Sequence, residues 1–458
     1  MQVERIVKES DGRLPSVLKI AGARARIKAY NTENKICIVA LDDDPTGCQT
    51  VHDIPILLNW EPSLIKEIAQ TNSSFFILTN SRAYAPAVAG AMSAEICRRL
   101  KEYIPAKNLR IISRSDSTLR GHFMAEVEAL LESNGPYDGI LIIPYFKEGG
   151  RFTINDTHFV QQNEKLVPAH ETEFAQDPVF GFRNSYLPSW IQEKSAGRWS
   201  AKDVASITLS DIRLGGPERI CSILEKLKNN TPLVVNALCD EDVEVVVLGL
   251  CMAEGKGKRI LYRSAASFVK VRAGITDAEL YSPSHHSKKG LIIVGSHVQK
   301  STEQLHNLMG AENLISVEVN LAPIFTGERN AYLASLRSAV DTNLAAGHSV
   351  VVYTERGYAL ENHGDKLQSG MAVSDFLSQL VAQLTETPDF IISKGGITSH
   401  DIAAKGLAIK EATVLGQIVS GVPVWRAAAG KFPGLTYVVF PGNVGDGHTL
   451  RQVYLKMR

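Results

Sequence analysis

The stretch ICIVALDDDPTG, residues 36–47, joins a short apolar run directly to consecutive carboxylates. The run Ile36–Leu41 predicts a strand that is buried on both faces of a sheet. The Pro-Thr-Gly that ends the stretch cannot continue a strand and predicts a turn. Asp42, Asp43 and Asp44 are therefore expected at the carboxyl end of a core strand, where open α/β sheets bind ligands. Because adjacent negative charges repel one another, we expect a cation, an arginine or a substrate hydroxyl beside them.

The rest of the chain alternates short apolar runs with helical patterns, which is typical of a mostly parallel sheet with helices on both faces. Further strands of the first half are predicted at Phe75–Thr79, Arg110–Arg114, Gly139–Ile143, Ala205–Leu209 and Leu233–Ala237. Strands of the second half are predicted at Gly290–Gly295, Ile315–Val319, Ser349–Tyr353, Asp389–Ser393 and Tyr437–Phe440. The predicted fold class is α/β, with two α/β domains whose sheets are mainly parallel.

The length of 458 residues indicates two or three domains. We predict an N-terminal extension over residues 1–34, a first domain over 35–265, a linker over 266–289 and a second domain over 290–458. The linker is predicted where the pattern weakens and the sequence becomes polar. The segment Tyr145–Gly181 is long and lacks clear periodicity, so we expect it to belong to a site or an interface.

The composition argues against several classes of partner. Lysine plus arginine equals aspartate plus glutamate, at 49 each, which gives no support for nucleic-acid or anionic-membrane binding. No apolar run approaches the roughly 20 residues that span a bilayer. The first 30 residues lack the apolar segment of a secretory signal, and the six scattered cysteines form no CxxC pair. We therefore expect a cytoplasmic protein with free thiols.

The first domain offers four polar clusters near predicted strand ends, and three of them contain arginines. They are Asp42–Asp44, Thr79–Arg82, Ser113–Gly121 and Gly149–Arg151. An arginine offers a planar set of donors that matches a carboxylate or a phosphate, and an aspartate can orient a hydroxyl or accept its proton. Together these residue types favour binding of a small polyhydroxy acid. Each cluster taken alone is also compatible with a surface ion pair or a helix cap.

The second domain has glycines where its predicted strands end, at Gly295-Ser296, Gly395-Gly396 and Gly442-Asn443. Glycine lets backbone N–H groups approach phosphate oxygens closely, and a helix N-terminus favours their charge. Plain strand-to-helix turns have the same composition. Neither the P-loop motif nor Gly-x-Gly-x-x-Gly is present, which argues against a P-loop NTPase and a Rossmann dehydrogenase.

With these motifs in this order, the chain resembles the four-carbon acid sugar kinase family. The family's Asp-Asp-x-Thr-Gly and Asp-Ser-Thr-Leu-Arg-Gly motifs match Asp43–Gly47 and Asp116–Gly121. The remaining matches are Gly150-Arg151, Glu171–Pro178, Gly295-Ser296, Gly395–Ser399 and Gly442-Asn443. Two departures stand out: Ile397 occupies a position that is commonly Glu, and Arg114 one that is usually Lys.

The resemblance implies an N-terminal acid-sugar-binding domain and a C-terminal ATP-binding domain, with the active site in the cleft between them. It implies an ATP- and Mg²⁺-dependent kinase that phosphorylates the terminal hydroxyl of threonate, erythronate or an oxo-tetronate. The expected catalytic residues are Asp43 and Asp44. The expected substrate-binding residues are Arg82, Arg114, Asp116, Arg120, Gly150 and Arg151. The expected nucleotide-binding residues are Ser296, Gly395, Gly396, Ile397, Thr398, Gly442 and Asn443.

Two other interpretations remain open. Asp42-x-Asp44-x-Thr46 after an apolar strand also fits the nucleophile loop of haloacid-dehalogenase-type phosphatases, in which Asp42 would become an aspartyl-phosphate. Because Ile397 replaces the usual Glu, a sugar-acid sensor without turnover is the third hypothesis. All three require small-molecule ligands, and a homo-oligomer is compatible with each.

Overall fold

The computed structural model describes residues 14–284, 289–295, 298–356, 366–442 and 444–458. The chain forms two compact units. The first contains the chain up to Thr50 and Trp60–Asp277, and the second contains Val51–Asn59 and Ala278–Arg458. A short segment from the first half of the sequence thus belongs to the second unit.

The strands and helices alternate along much of the chain. The strands are β1 (Cys37–Asp42), β2 (Ile54–Leu57), β3 (Ser74–Leu78), β4 (Leu109–Arg114), β5 (Gly139–Ile143), β6 (Arg151–Ile154), β7 (Thr157–Gln162), β8 (Lys165–Pro168), β9 (Ala205–Ile207), β10 (Thr231–Val235), β11 (Ile260–Ser264), β12 (Gly290–Val294), β13 (Leu314–Val319), β14 (Ser349–Thr354), β15 (Phe390–Lys394), β16 (Glu411–Val419), β17 (Val422–Ala427) and β18 (Thr436–Phe440). The helices are α1 (Ala23–Glu33), α2 (Pro62–Thr71), α3 (Pro86–Tyr103), α4 (Phe123–Asn134), α5 (Leu187–Lys194), α6 (Leu209–Arg213), α7 (Gly216–Glu225), α8 (Asp240–Gly255), α9 (Ala266–Arg272), α10 (Gln299–Met309), α11 (Arg329–Ala345), α12 (Lys366–Gln383), α13 (Gly396–Asp401) and α14 (Thr449–Met457).

The first unit is built on a parallel sheet with the strand order β3-β1-β4-β11-β5-β10-β9. Every residue of β1 is buried, which is why its sequence is a continuous apolar run ending in a carboxylate. Proline occupies the first turn of α2, α3, α5 and α7, where its missing N–H costs no helical hydrogen bond. The parallel arrangement brings the carboxyl ends of β1, β3 and β4 to one edge.

A small antiparallel meander, β6-β7-β8, lies within the segment that has no clear periodicity. Thr153 of β6 pairs with Ala237, just beyond the carboxyl end of β10. The meander is therefore attached at the carboxyl edge of the parallel sheet, on the side where a ligand site was expected.

The second unit has the strand order β13-β14-β12-β15-β18-β17-β16-β2. Pairings from β13 to β18 are parallel, and those that link β18, β17, β16 and β2 are antiparallel. Its helix α13 continues directly into a π-helical turn, Ile402–Gly406. Residues of α10 and α14 pack with the strands of this sheet in one apolar core that includes Leu305 and Tyr454.

The predicted α/β class with mainly parallel sheets is confirmed, and each predicted strand overlaps an observed one. The sequence patterns missed β2, β11, β16, β17 and the meander. A proline lies within β2, and charged residues flank or end β11. The predicted linker 266–289 begins with α9, whose residues are all buried although they include Lys270 and Arg272. Within the described ranges, no helix is both long and apolar enough to cross a membrane.

Candidate active site

Asp42 ends β1, and its side chain is fully buried. Arg114 ends the neighbouring strand β4 in register with it, and its guanidinium donates to Asp42 Oδ1 at 2.9 Å. The backbone of Gly47 packs over this pair so closely that a β-carbon there would lie 2.1 Å from Asp42 Oδ2. Burial raises the pKa of Asp42 to about 7, although Arg114 acts in the opposite direction. Asp42 therefore lies beneath the turn and fixes Arg114.

Asp43 is also buried, with a side chain only 1% exposed, and it is surrounded by donors. Arg82 Nε lies 3.3 Å and Arg114 Nη1 lies 3.4 Å from its Oδ1. The Ser115 hydroxyl donates to its Oδ2 at 3.0 Å. Burial raises the pKa of Asp43, although both arginines oppose this shift. Asp43 thus holds two guanidinium groups in place from below.

Asp44 is the aspartate of this stretch that reaches the surface, with a side chain 20% exposed. Arg82, in a short 3-10 turn after β3, forms an ion pair with its Oδ2, and the Thr46 N–H donates to its Oδ1 at 2.8 Å. Burial alone would raise the pKa of Asp44, but Arg82 and Thr46 outweigh it and lower that pKa. A charged carboxylate oriented in this way can accept a hydrogen bond from a hydroxyl.

The loop after β4 presents a second carboxylate that is partly exposed, Asp116, whose side chain is 13% exposed. It accepts hydrogen bonds from the Thr118 hydroxyl and from Arg120 Nε, the latter at 2.6 Å. Burial would raise the pKa of Asp116, but Arg120 and Arg82 hold it well below its usual range. His158 of β7 supports the loop from beneath, with Nε2 2.7 Å from the Ser117 carbonyl oxygen. Asp116 is therefore a fixed, charged acceptor.

Two arginines beside this loop form cation–π contacts with the ring of Phe174. The guanidinium carbons of Arg120 and Arg151 lie 5.1 and 5.5 Å from the ring centroid. Arg120 forms an ion pair with Asp116, and its Nη1 lies 3.5 Å from Asp177 Oδ2. Arg151 has no carboxylate within 4.0 Å among the described residues, and its buried Nε has no hydrogen-bond partner. Of the two arginines, Arg151 is thus the one whose guanidinium has no hydrogen-bond partner among the described residues.

A buried layer behind the site was not predicted. Arg263, at the end of β11, donates to the hydroxyls of Ser113 at 2.6 Å and Ser115 at 2.7 Å, and it pairs with Glu126. Glu126 also accepts from the Ser81 hydroxyl at 2.5 Å, next to Arg82 in the chain. This network links the loops after β3 and β4. Recognising β11 as a strand would have placed Arg263 at the same edge as Arg114.

A cavity of about 20 Å³ adjoins this layer, lined by Ser115, Asp116, Arg120, Trp190 and Arg263 among other residues. That volume holds about one water molecule. The cavity itself is too small for a sugar acid, so a ligand would have to bind on the exposed side of Asp44, Asp116 and Arg151.

The expected nucleotide-binding residues lie in the second unit. Gly395 follows β15 with a φ of +110°, and its N–H donates to the Phe440 carbonyl oxygen at 2.9 Å. The amide of Gly395 is therefore already used by the sheet edge. Gly396, Ile397 and Thr398 form the first turn of α13, whose opening N–H groups have no carbonyl partner within the helix. Ile397 is 47% exposed, so its side chain points away from the core.

The other turns of that edge lie close by. A β-carbon at Gly295, after β12, would lie 2.7 Å from the Thr398 hydroxyl oxygen, so only glycine fits there. The Gly442 carbonyl oxygen, after β18, accepts a hydrogen bond from Lys394 at 2.9 Å. Two expected nucleotide-binding residues, Ser296 and Asn443, lie outside the described residues.

The described part of the chain contains no group of three or more His, Cys, Asp or Glu side chains that could hold a metal ion. In the first unit the aspartates are instead paired with arginines. The residues present therefore do not fit a resident metal site.

Comparison with known domain families gives two consecutive matches. Residues 38–272 match the family described as a sugar-binding N-terminal domain, and residues 291–450 match the nucleotide-binding C-terminal domain. The chain belongs to this family. The resemblance to the four-carbon acid sugar kinases is thereby confirmed.

One curated relative is named D-erythronate kinase, from Heliobacterium modesticaldum, and is 24% identical over 304 residues. The match covers 64% of this chain and 65% of that protein, so the chain spans slightly less than two thirds of the relative's length.

Two solved structures share the fold. A Haemophilus influenzae protein is 18% identical with a TM-score of 0.66, and the match covers 92% of this chain and all of that one. A Salmonella typhimurium LT2 protein is 18% identical with a TM-score of 0.69, over 92% of this chain and 99% of that one.

Proposed function

We propose that the protein is an ATP-dependent kinase that transfers a phosphoryl group to the terminal hydroxyl of a four-carbon acid sugar such as erythronate, threonate or an oxo-tetronate. Membership of a family with sugar-binding and nucleotide-binding domains supports this proposal, as does the relative named D-erythronate kinase. The domain boundaries 35–265 and 290–458, with an extension and a linker, are part of the same proposal.

The observation that carries the proposal is the pairing pattern in the first unit. Asp44 and Asp116 are charged acceptors with partly exposed side chains, while Arg151 keeps donors that no other described side chain uses. A molecule with a carboxylate at one end and hydroxyls along its length matches this arrangement. Its carboxylate would pair with Arg151, and its hydroxyls would donate to Asp44 and Asp116.

The two expected catalytic aspartates have different roles in this proposal. Asp44 would contact the terminal hydroxyl and orient it, since its side chain is the more exposed. Its lowered pKa makes it a weak base, but phosphoryl transfer depends mainly on positioning and charge stabilisation. Asp43 would act as a positioning residue that holds Arg82 and Arg114.

The nucleotide would lie on the second unit, with its phosphates against the turn that contains Gly396, Ile397 and Thr398. Mg²⁺ would arrive with the nucleotide as MgATP, because that ion commonly retains waters and binds phosphate oxygens. Transfer requires the γ-phosphorus and the oriented hydroxyl to come into line.

A phosphatase of the haloacid-dehalogenase type fits the geometry less well. Its nucleophile would be Asp42, whose side chain is fully buried, paired with Arg114 and covered by Gly47. An attacking carboxylate has to reach phosphorus, and this one has no open path. For the sensor hypothesis, the exposed Ile397 remains the relevant feature.

A coupled assay of ADP release tests the proposal, with threonate, erythronate and the 2-oxo and 3-oxo tetronates as acceptors and MgATP as donor. We expect turnover with at least one of them. Saturable binding of an acid without ADP release would favour a sensor. Release of inorganic phosphate from a sugar phosphate without nucleotide would favour a phosphatase.

Replacing Arg151 with methionine tests the carboxylate contact. We expect KM for the acid sugar to rise by roughly 10- to 100-fold with a small change in kcat, because a charge-assisted pair is lost before the reaction. Arg198→Met is the control, since Arg198 is 48% exposed and paired with Glu128. An unchanged KM in the Arg151 variant would remove this residue from the site.

A further inference from the structure

Lys394 is a buried lysine at the carboxyl end of β15, and its side chain has no exposed surface. Its Nζ donates to the carbonyl oxygens of Pro441 at 2.7 Å and Gly442 at 2.9 Å. It also lies 4.3 Å from the centroid of the Phe440 ring. All these partners belong to the end of β18 and the loop after it, within the second unit.

No carboxylate of the described residues lies within 4.0 Å of this ammonium group. A buried lysine usually has an anion as its partner, because taking a charge out of water is costly. An ammonium group has three N–H donors, and the two carbonyl oxygens account for two of them. Among the described residues, no partner for the third donor and no compensating carboxylate is found.

Lys394 lies at the turn between β15 and α13, next to the loop that follows β18. Lys394 immediately precedes Gly395, whose φ of +110° turns the chain into α13. A β-carbon at Gly442 would meet no atom of the described residues within 4 Å, so the backbone of Gly442 is open on its Cα side. Lys394 is thus held by the loop after β18, at the turn where phosphates are proposed to bind.

We propose that Lys394 binds a phosphate oxygen of the nucleotide in the second unit. The inference rests on the proposed kinase function, and it adds a side chain to a site that the motifs assign only to backbone turns. The two carbonyl oxygens hold the ammonium in place, and the nucleotide supplies the missing negative charge.

The proposal predicts uptake of a proton when ATP binds. Burial, with a contribution from Lys300, lowers the pKa of Lys394 to about 7. A bound phosphate would raise that pKa, so at pH 8 the neutral amine would take up a proton from the buffer. The other ionisable groups on the surrounding elements are Glu303 and His306 of α10, His400 and Asp401 of α13, Tyr437 of β18 and Asp446 after β18. Asp401 and Asp446 have their own partners in Lys405 and Thr449.

Calorimetric titration of the full chain with MgATP and with adenosine, in buffers of different ionisation enthalpy, tests the inference. Lys394→Met removes the charge and keeps the length, and Lys256→Met is the control, since Lys256 lies in the first unit and is 58% exposed. We expect the Lys394 variant to bind MgATP roughly 10- to 100-fold more weakly and adenosine unchanged. We also expect its proton uptake at pH 8 to disappear.

The remaining outcomes separate the two proposals. If the wild type binds MgATP and the Lys394 variant binds it equally well with the same proton uptake, the inference is wrong and the kinase proposal stands. If the wild type does not bind MgATP and gives no ADP with any tetronate, the proposed function fails and the inference with it. Thermal unfolding without nucleotide provides the folding control, and we expect the Lys394 variant to melt no lower than the wild type, because it lacks a buried charge.

Discussion

The two units use the carboxyl edges of their sheets in different ways. In the first unit the edge is made of charged side chains that pair with one another, such as Asp44 with Arg82 and Asp116 with Arg120. In the second unit it is made of backbone turns at Gly395 and Gly442, with a lysine that has carbonyl partners. Under the proposed function, the charged acceptors of the first edge would serve substrate hydroxyls, and the donors of the second edge, the first-turn N–H groups of α13 and Lys394, would serve phosphates.

This difference determines what kind of substitution each edge tolerates. An edge of paired side chains is sensitive to the loss of one charge, because its partner is left without compensation. An edge of backbone turns is sensitive to an added β-carbon or to the loss of the Lys394 ammonium group. Substitutions in the first unit can therefore separate the side chains that touch substrate from those that hold them.

The largest effect is expected for Asp44→Asn, which keeps the shape of the side chain and removes the charge that we propose orients the substrate hydroxyl. We expect kcat to fall by roughly 10²- to 10⁴-fold while the free energy of unfolding changes little. Asp43→Asn should instead lower the free energy of unfolding by about 3 kcal/mol, since it leaves buried Arg82 and Arg114 with one carboxylate fewer. Steady-state kinetics and urea unfolding of both variants measure the contrast.

Asp53→Asn is the matched control, because that carboxylate is 82% exposed. The assignment of roles would be reversed if Asp43→Asn abolished turnover in a fully stable protein while Asp44→Asn stayed active.

Much of the first unit's edge could be predicted because its residues follow strands that are continuous apolar runs. Asp42 and Arg114 each end such a run, and parallel pairing brings them into register. Arg263 was not predicted because β11 is preceded by Lys258 and Arg259 and contains Arg263 itself, so its sequence is not the continuous apolar run that marks a central strand. Lys394 was part of a recognised turn, but only the fold shows that it is buried and that no carboxylate of the described ranges pairs with it.

The meander was the least predictable part of the site. Its strands are short and paired with one another, and they carry no helical or strict alternating pattern over enough residues to be recognised. His158 and Arg151 both lie on it, yet sequence spacing could not show that one supports the Asp116 loop and the other faces Phe174. Long-range docking, as at Thr153 and Ala237, decides these positions.

A smaller change, in the pH dependence of stability, is expected when His158 is replaced. This substitution tests whether the loop that contains Asp116 is supported by a buried, neutral imidazole. Burial lowers the pKa of His158 to about 4. The unfolded chain has a value near 6.5, so between these pH values the unfolded state binds more protons and stability falls as pH falls. The loss that His158 contributes by pH 4 is on the order of 3 kcal/mol.

The His158→Gln variant has no imidazole to protonate, so it should not lose this stability at low pH. The difference in the free energy of unfolding between wild type and variant should therefore be smaller at pH 4.5 than at pH 7. Urea unfolding at both pH values measures it. Asp42, whose pKa is raised to about 7, acts in the opposite direction but is present in both proteins, so it cancels in the comparison. Parallel pH curves for the two proteins would show that His158 does not titrate in this range.

The smallest change in stability is expected for a substitution at Gly47, because the backbone of this residue packs directly against the Asp42–Arg114 ion pair. A β-carbon there would lie 2.1 Å from Asp42 Oδ2 and 2.4 Å from Arg114 Nη1, and neither buried group can move without breaking the other's ion pair. We expect Gly47→Ala to lower the free energy of unfolding by about 1–3 kcal/mol, as overpacking does elsewhere. Gly327→Ala, where a β-carbon meets nothing within 4 Å, should be close to neutral. If both variants unfold like the wild type, the turn is looser than the contacts imply, and Asp42 is then accessible enough to reopen the phosphatase interpretation.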